Sequence, residues 1–354
     1  MSELKINNIT NRNGDTGPVI AGVSTVATSA FMVMPSGDTA IRGAGSGRGI
    51  IAGGAESLSS PYTISDRMQY ITIATTGNSI DFGNLSLARY YVRGTASSTR
   101  GVFAGGTSPG PAVTNVIDFV TISSGGGAND FGDMSIVRNG LAAFGNETRG
   151  ILAGGYTTVD TTQTSLMEFI TIATTGNASD FGNLSVPKEL NAGFASPTRG
   201  IIAGGSQSAT ITNLTADIQF VTLATGGDSQ RFGELRRLRF RLPGASNSTR
   251  GLTFGGRYPG QTGTDEIDFI TIATEGNAQD FGDLRVALHE GGALASSTRG
   301  IHFGGETAPA SGAMVNTIEY VQISTGGDAA DFGDLASVVG DDPAGCSDVH
   351  GGLG

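Results

Sequence analysis

Apolar residues in this chain fall in short runs broken by Gly, Ser, Thr and Asn, without the three-and-four spacing of an amphipathic helix. Ile117-Asp-Phe-Val-Thr-Ile122 is typical: β-branched and aromatic, and too short for a helix. The runs recur in a fixed order. Arg-Gly, an apolar run and Gly-Gly occur at Arg48–Gly54, Arg100–Gly106, Arg149–Gly155, Arg199–Gly205, Arg250–Gly256 and Arg299–Gly305, about fifty residues apart. Each is followed by a second block: Ile71-Thr-Ile, Val120-Thr-Ile, Ile170-Thr-Ile, Val221-Thr-Leu, Ile270-Thr-Ile and Val321-Gln-Ile. Phe-Gly then follows, at Phe82, Phe131, Phe181, Phe232, Phe281 and Phe332. Small apolar segments such as Leu141–Phe144, Asn191–Phe194 and Gly292–Ala295 supply a fourth strand. Thr-Gly-Asn at Thr76–Asn78 and Ser-Thr-Arg-Gly at Ser98–Gly101 are turn signals between strands.

Four short strands in about fifty residues cannot bury both faces alone; radial stacking of blades solves this and leaves only short edges. A linear solenoid is the rival and fits four antiparallel strands per repeat less well. The chain is therefore expected to be all-β: a six-bladed β-propeller of four-stranded antiparallel blades over residues 46–354. Its repeats begin near positions 48, 100, 149, 199, 250 and 299, after a small β segment at 1–45. The order of blocks, with a basic residue after each aromatic, resembles the kelch repeat from Arg48 to about Val349. Phe stands where kelch blades usually carry Trp. The basic residue is present as Arg89, Arg138 and Lys188 but is Leu288 in the fifth repeat. Two segments compete to complete the first blade, Ile41–Ser46 and Pro343–Ser347, and the second is favoured.

Composition sharpens this reading. Glycine is one residue in six (57 of 354), which penalises helices by roughly 0.8–1.0 kcal/mol each. The single cysteine, Cys346, forms no internal disulfide, and no Cys/His cluster has zinc spacing. A net charge of −11 disfavours nucleic acid as a partner. The most apolar stretch, Val19–Met34, is interrupted by Ser and Thr and does not read as a membrane span.

Residues 1–45 do not match the repeat. Ile20–Val26 and Phe31–Met34 read as two strands, either capping the propeller or docking on another protein. The docking candidates are Ile6, Ile9, Val19, Ile20, Val23 and Val26. The segment Lys5–Val26, with its Asn-Asn-Ile-Thr-Asn-Arg-Asn-Gly-Asp-Thr-Gly-Pro run, resembles the N-terminal segment of structural proteins in tailed phages of marine cyanobacteria. That resemblance implies a virion component of the tail, baseplate, neck or fibres. Its expected partners are other virion proteins through the N-terminal segment, a host-surface glycan or protein, or further copies of the chain.

No constellation of catalytic residues stands out. Asp-Phe-Gly occurs five times without the rest of a kinase signature, so the repeated Phe reads as blade packing. Gly43–Gly49 lacks dinucleotide spacing. His289, His302 and His350 are not paired at metal-ligand spacing, and Asp341-Asp342 reads as a solvated turn. No cofactor, metal ligand or catalytic residue is assigned. Antiparallel order suggests ion pairs in Arg100–Asp130, Arg149–Asp180, Arg250–Asp280 and Arg299–Asp331. The loops after Gly-Gly vary while the scaffold repeats, which makes them the expected binding surface, with Tyr62, Tyr156 and Tyr258 as contact candidates. The expectation is a non-enzymatic binding module; a protein–protein adaptor outside virions and a sugar-active propeller enzyme are the alternatives.

Overall fold

The computed structural model describes residues 24–25, 32–33, 47–57, 63–208, 213–260, 262–307 and 312–353. Contacts divide the chain into Met1–Ala44 and Gly45–Gly354. In the first unit Ser24–Thr25 pairs antiparallel with Met32–Val33. The six apolar docking candidates of this unit lie outside the described residues.

The second unit is a six-bladed β-propeller. Blade 2 shows the plan: Arg93–Ala96 innermost, then Arg100–Ala104, Val116–Thr121 and Asn129–Asp133 at the outer edge, each antiparallel to the next. Blades 3, 4 and 6 begin at Ala142, Ala192 and Gly292 and repeat this order. Blade 5 begins at Gly244, and its long outer strand Gln279–His289 also pairs with Glu306–Thr307. Blade 1 takes its inner strand from the other end of the chain: Ala344–Ser347 pairs with Arg48–Ala52. The C-terminal segment thus closes the ring, and the six inner strands touch one another in circular order.

Each interface between blades carries its own apolar core. The repeated phenylalanines are buried and meet an aromatic of the third strand edge-on, as in Phe119–Phe131 at 6.0 Å. The third-to-fourth strand register shifts by one residue in every blade, so the outer strand bulges. The Phe-Gly glycine sits next to this bulge. Gly132 has φ of 141°, and a Cβ there would lie 2.5 Å from the Gly176 carbonyl oxygen of blade 3.

The two faces of the disc differ. One carries the Arg-Gly and Thr-Gly-Asn turns. At its centre the short 3-10 turn Gly351–Leu353 is buried among the inner strands, and His350 Nε2 lies 2.7 Å from the Ala96 carbonyl oxygen. The other carries the loops after Gly-Gly and the links from each blade to the next.

Candidate functional site

The link-bearing face is built in two concentric tiers. The inner tier is a backbone ring. Tyr91, Leu190, Arg241, Glu290 and Asp341 all have φ between 53° and 58°, and Gly140 completes the set at 58°. A left-handed non-glycine residue costs on the order of 1 kcal/mol or more and persists only where its surroundings fix it. Here hydrogen bonds fix it. Gly140 N–H donates to Tyr91 O, Leu190 to Gly140, Arg241 to Leu190, Glu290 to Arg241, Asp342 to Glu290 and Tyr91 to Asp341. The six links form a closed collar around the axis.

The outer tier is six hairpins. Each loop after Gly-Gly folds on itself, as in Thr107–Ser108 with Ala112–Val113 and Tyr156–Thr157 with Thr162–Gln163. The base of each hairpin also pairs with the preceding link: Tyr90 with Thr107, Asn139 with Tyr156, Glu189 with Ser206, Phe240 with Arg257, His289 with Glu306 and Gly340 with Ala55. The scaffold under the loops is therefore the same six times, while its side chains change at every step.

Those side chains concentrate charge at the collar. Arg241 pairs with Glu290, and its guanidinium reaches within 5.7 Å of the Tyr91 ring centroid, which belongs to the opposite link. Arg257 lies 3.2 Å from Glu290 and 3.8 Å from Glu306, and Arg93 lies 3.2 Å from Asp342. Burial, then Asp341, raises the Glu306 carboxyl pKa; burial also raises Asp342 and Glu189. Burial, then Arg257 and Arg241, pushes His289 down to about 3, so its imidazole is neutral at physiological pH.

Contrary to the expected ion pairs, Arg100 does not meet Asp130. Register places Arg100 opposite Thr121, whereas Asp130 faces Asp118, three residues along the shared strand. Arg100 instead stacks over Phe119 at 4.7 Å and donates to the carbonyl oxygens of Ile172 and Ala173 in the next blade. Arg149 and Arg250 reach the next blade's carbonyls in the same way, and Arg299 reaches Ile73 across the closure. Among the described residues none of these arginines pairs with Asp130, Asp180, Asp280 or Asp331. Asp280 meets Arg236, and Asp331 meets Arg285 at 2.7 Å. Asp341 and Asp342 are not a solvated turn: both are buried, Asp342 completely.

The expected contact tyrosines are not presented on loop tips: Tyr156 and Tyr258 are half-buried at hairpin bases. Tyr258 is hydrogen-bonded to Thr264 at 3.0 Å and overlaid by Arg237 at 5.3 Å. Tyr62 lies outside the described residues. Among the described residues this face carries the paired rings of Tyr90 and Tyr91, with centroids 4.8 Å apart, which the repeated blocks do not mark.

Arg241, Arg257, Glu290 and Glu306 were also missed. Their signal was available: at collar and hairpin-base positions each repeat carries a different residue where the scaffold around it does not change. Comparison with known proteins adds no assignment, since neither a protein-family model nor a curated relative matches the chain.

Proposed function

We propose that this chain is a non-enzymatic binding module of a virion, with the hairpin face of the propeller as the recognition surface. The observation that carries the reading is the two-tier face: six hairpins of different length and composition on one repeated, hydrogen-bonded base. Variable loops on a rigid scaffold are the usual place for binding. The propeller itself reads as kelch-like, on the order of its sequence blocks.

The virion part of the proposal rests on Lys5–Val26 and its resemblance to structural proteins of tailed phages infecting marine cyanobacteria. The hairpin face is offered as the surface for a host-surface glycan, a host protein or a neighbouring virion protein.

Deleting residues 1–40 tests this. The truncated chain is expected to stay folded by circular dichroism and to be lost from purified particles by immunoblot. Normal incorporation of the truncated chain refutes N-terminal docking. Cryo-electron microscopy of the particle with the hairpin face packed inside the capsid refutes host recognition.

A further inference from the structure

Three side chains on the collar are brought together from separate parts of the sequence. His289 ends the outer strand of blade 5, Glu290 is the collar residue of that link, and Glu306 opens the hairpin of blade 6 and pairs with His289 across the strands. All three are at most 1% exposed. One ligating atom from each lies within 4.8 Å of the other two.

Among the described residues neither ring nitrogen of His289 has a hydrogen-bond partner and Glu306 Oε1 accepts no hydrogen bond, while Glu290 Oε1 is ion-paired with Arg241 and Arg257. A buried polar atom left unpaired costs about 1–3 kcal/mol. Here unpaired atoms of His289 and Glu306 lie beside the ion-paired Glu290 carboxylate.

The other five junctions are internal controls. They place side chains at the same three backbone positions, and each supplies at most one His, Asp or Glu. Only the junction of blades 5 and 6 assembles three.

We propose that His289, Glu290 and Glu306 form a binding site for one divalent transition-metal ion of the zinc class, seated between blades 5 and 6 on the hairpin face. One imidazole and two carboxylates suit that class. Metal–ligand bonds of about 2.1 Å allow donors up to ~4.2 Å apart, so side-chain shifts of under an ångström complete the shell. Arg241 and Arg257 ion-pair with Glu290 and hold its carboxylate in place, as outer-shell partners do in other metal sites. The proposal is independent of the virion reading.

The test uses the full chain, treated with chelator and then titrated with Zn2+ or Co2+. We expect one ion per chain by calorimetry and a melting temperature several degrees higher than in chelator. Glu306→Gln and His289→Gln should each weaken binding at least tenfold, while His302→Gln, at the other buried histidine, leaves it unchanged. With three histidines in the chain, Co2+ should shift the His289 ring resonance alone. That readout needs only the wild-type protein and decides the matter if a variant fails to fold. Absence of stoichiometric binding, wild-type affinity in both site variants, or a Co2+ shift confined to His350 overturns the proposal.

Discussion

Glu319 is a buried acid without the partner its position normally has. In four junctions a cation enters from the preceding blade. Arg89 pairs with Asp118 at 2.6 Å, Arg138 with Glu168 and Arg239 with Asp268 at 2.5 Å, and Lys188 lies 3.5 Å from Asp217. At the blade 5–6 junction that cation is replaced by Leu288, and Glu319 keeps the backbone N–H of Arg285. Burial raises its pKa; Arg285 and Asp331 are its charged neighbours, and His302 across the strand is pushed down to about 3. A carboxyl whose folded pKa is raised costs stability above that pKa and costs nothing below its unfolded value near 4.5. Glu319→Gln should therefore stabilise the protein at pH 7 by about 1 kcal/mol, with the gain vanishing below pH ~4.5, as read by urea denaturation across pH. Blade 1 already uses this solution: Gln69 accepts from Ala336 N–H, and the preceding-blade position is the apolar Val339. Conversely, Arg138→Val strands Glu168 and should cost about 3–5 kcal/mol, most of it recovered on adding Glu168→Gln. Such alternation is hidden from a repeat alignment, because cation and acid are some thirty residues apart and belong to different blades.

Between elements, the arginine of each Arg-Gly turn is an inter-blade clasp. Arg149 lies 4.9 Å from the Phe169 ring centroid and donates to two carbonyl oxygens of blade 4 at 2.9 Å each. A lysine keeps the charge but not the flat, forked donor. Arg149→Lys should lose about 1 kcal/mol, whereas Asp180→Ala, on an exposed and unpaired side chain, should stay within ~0.5 kcal/mol in the same denaturation assay. Gly132→Ala pushes a methyl into the blade 3 turn and should cost roughly 1–3 kcal/mol. The strands themselves were legible because β-branched runs, Gly-Gly ends and turn residues act locally. The clasp was not, because the outer strand begins to pair only at Phe119, which leaves Asp130 three residues along from Arg100, and the arginine reaches carbonyls of another blade. Counting along Ile117–Ile122 gives no sign of where that pairing starts.

For the whole molecule, six recurrences of three blocks were enough to give architecture and blade number. Ring closure by Pro343–Ser347 was legible as well, since that segment resembles the inner strands it replaces. Removing residues 343–354 should expose the edge of Arg48–Ala52 and convert a monodisperse protein into associated species on size-exclusion chromatography. The chemistry of the hairpin face was far less legible. Its collar is made of main-chain groups, which leave no mark in composition, and its side chains differ precisely where the repeat gives no guidance. Those main-chain groups also set a limit on how this fold can grow. Every donor in the collar points the same way round, and each step from one link to the next spans one blade. The circumference is thus a fixed count of links. Duplicating a fifty-residue repeat would leave a broken circuit, whereas cutting the chain at another link and joining its old ends would preserve it.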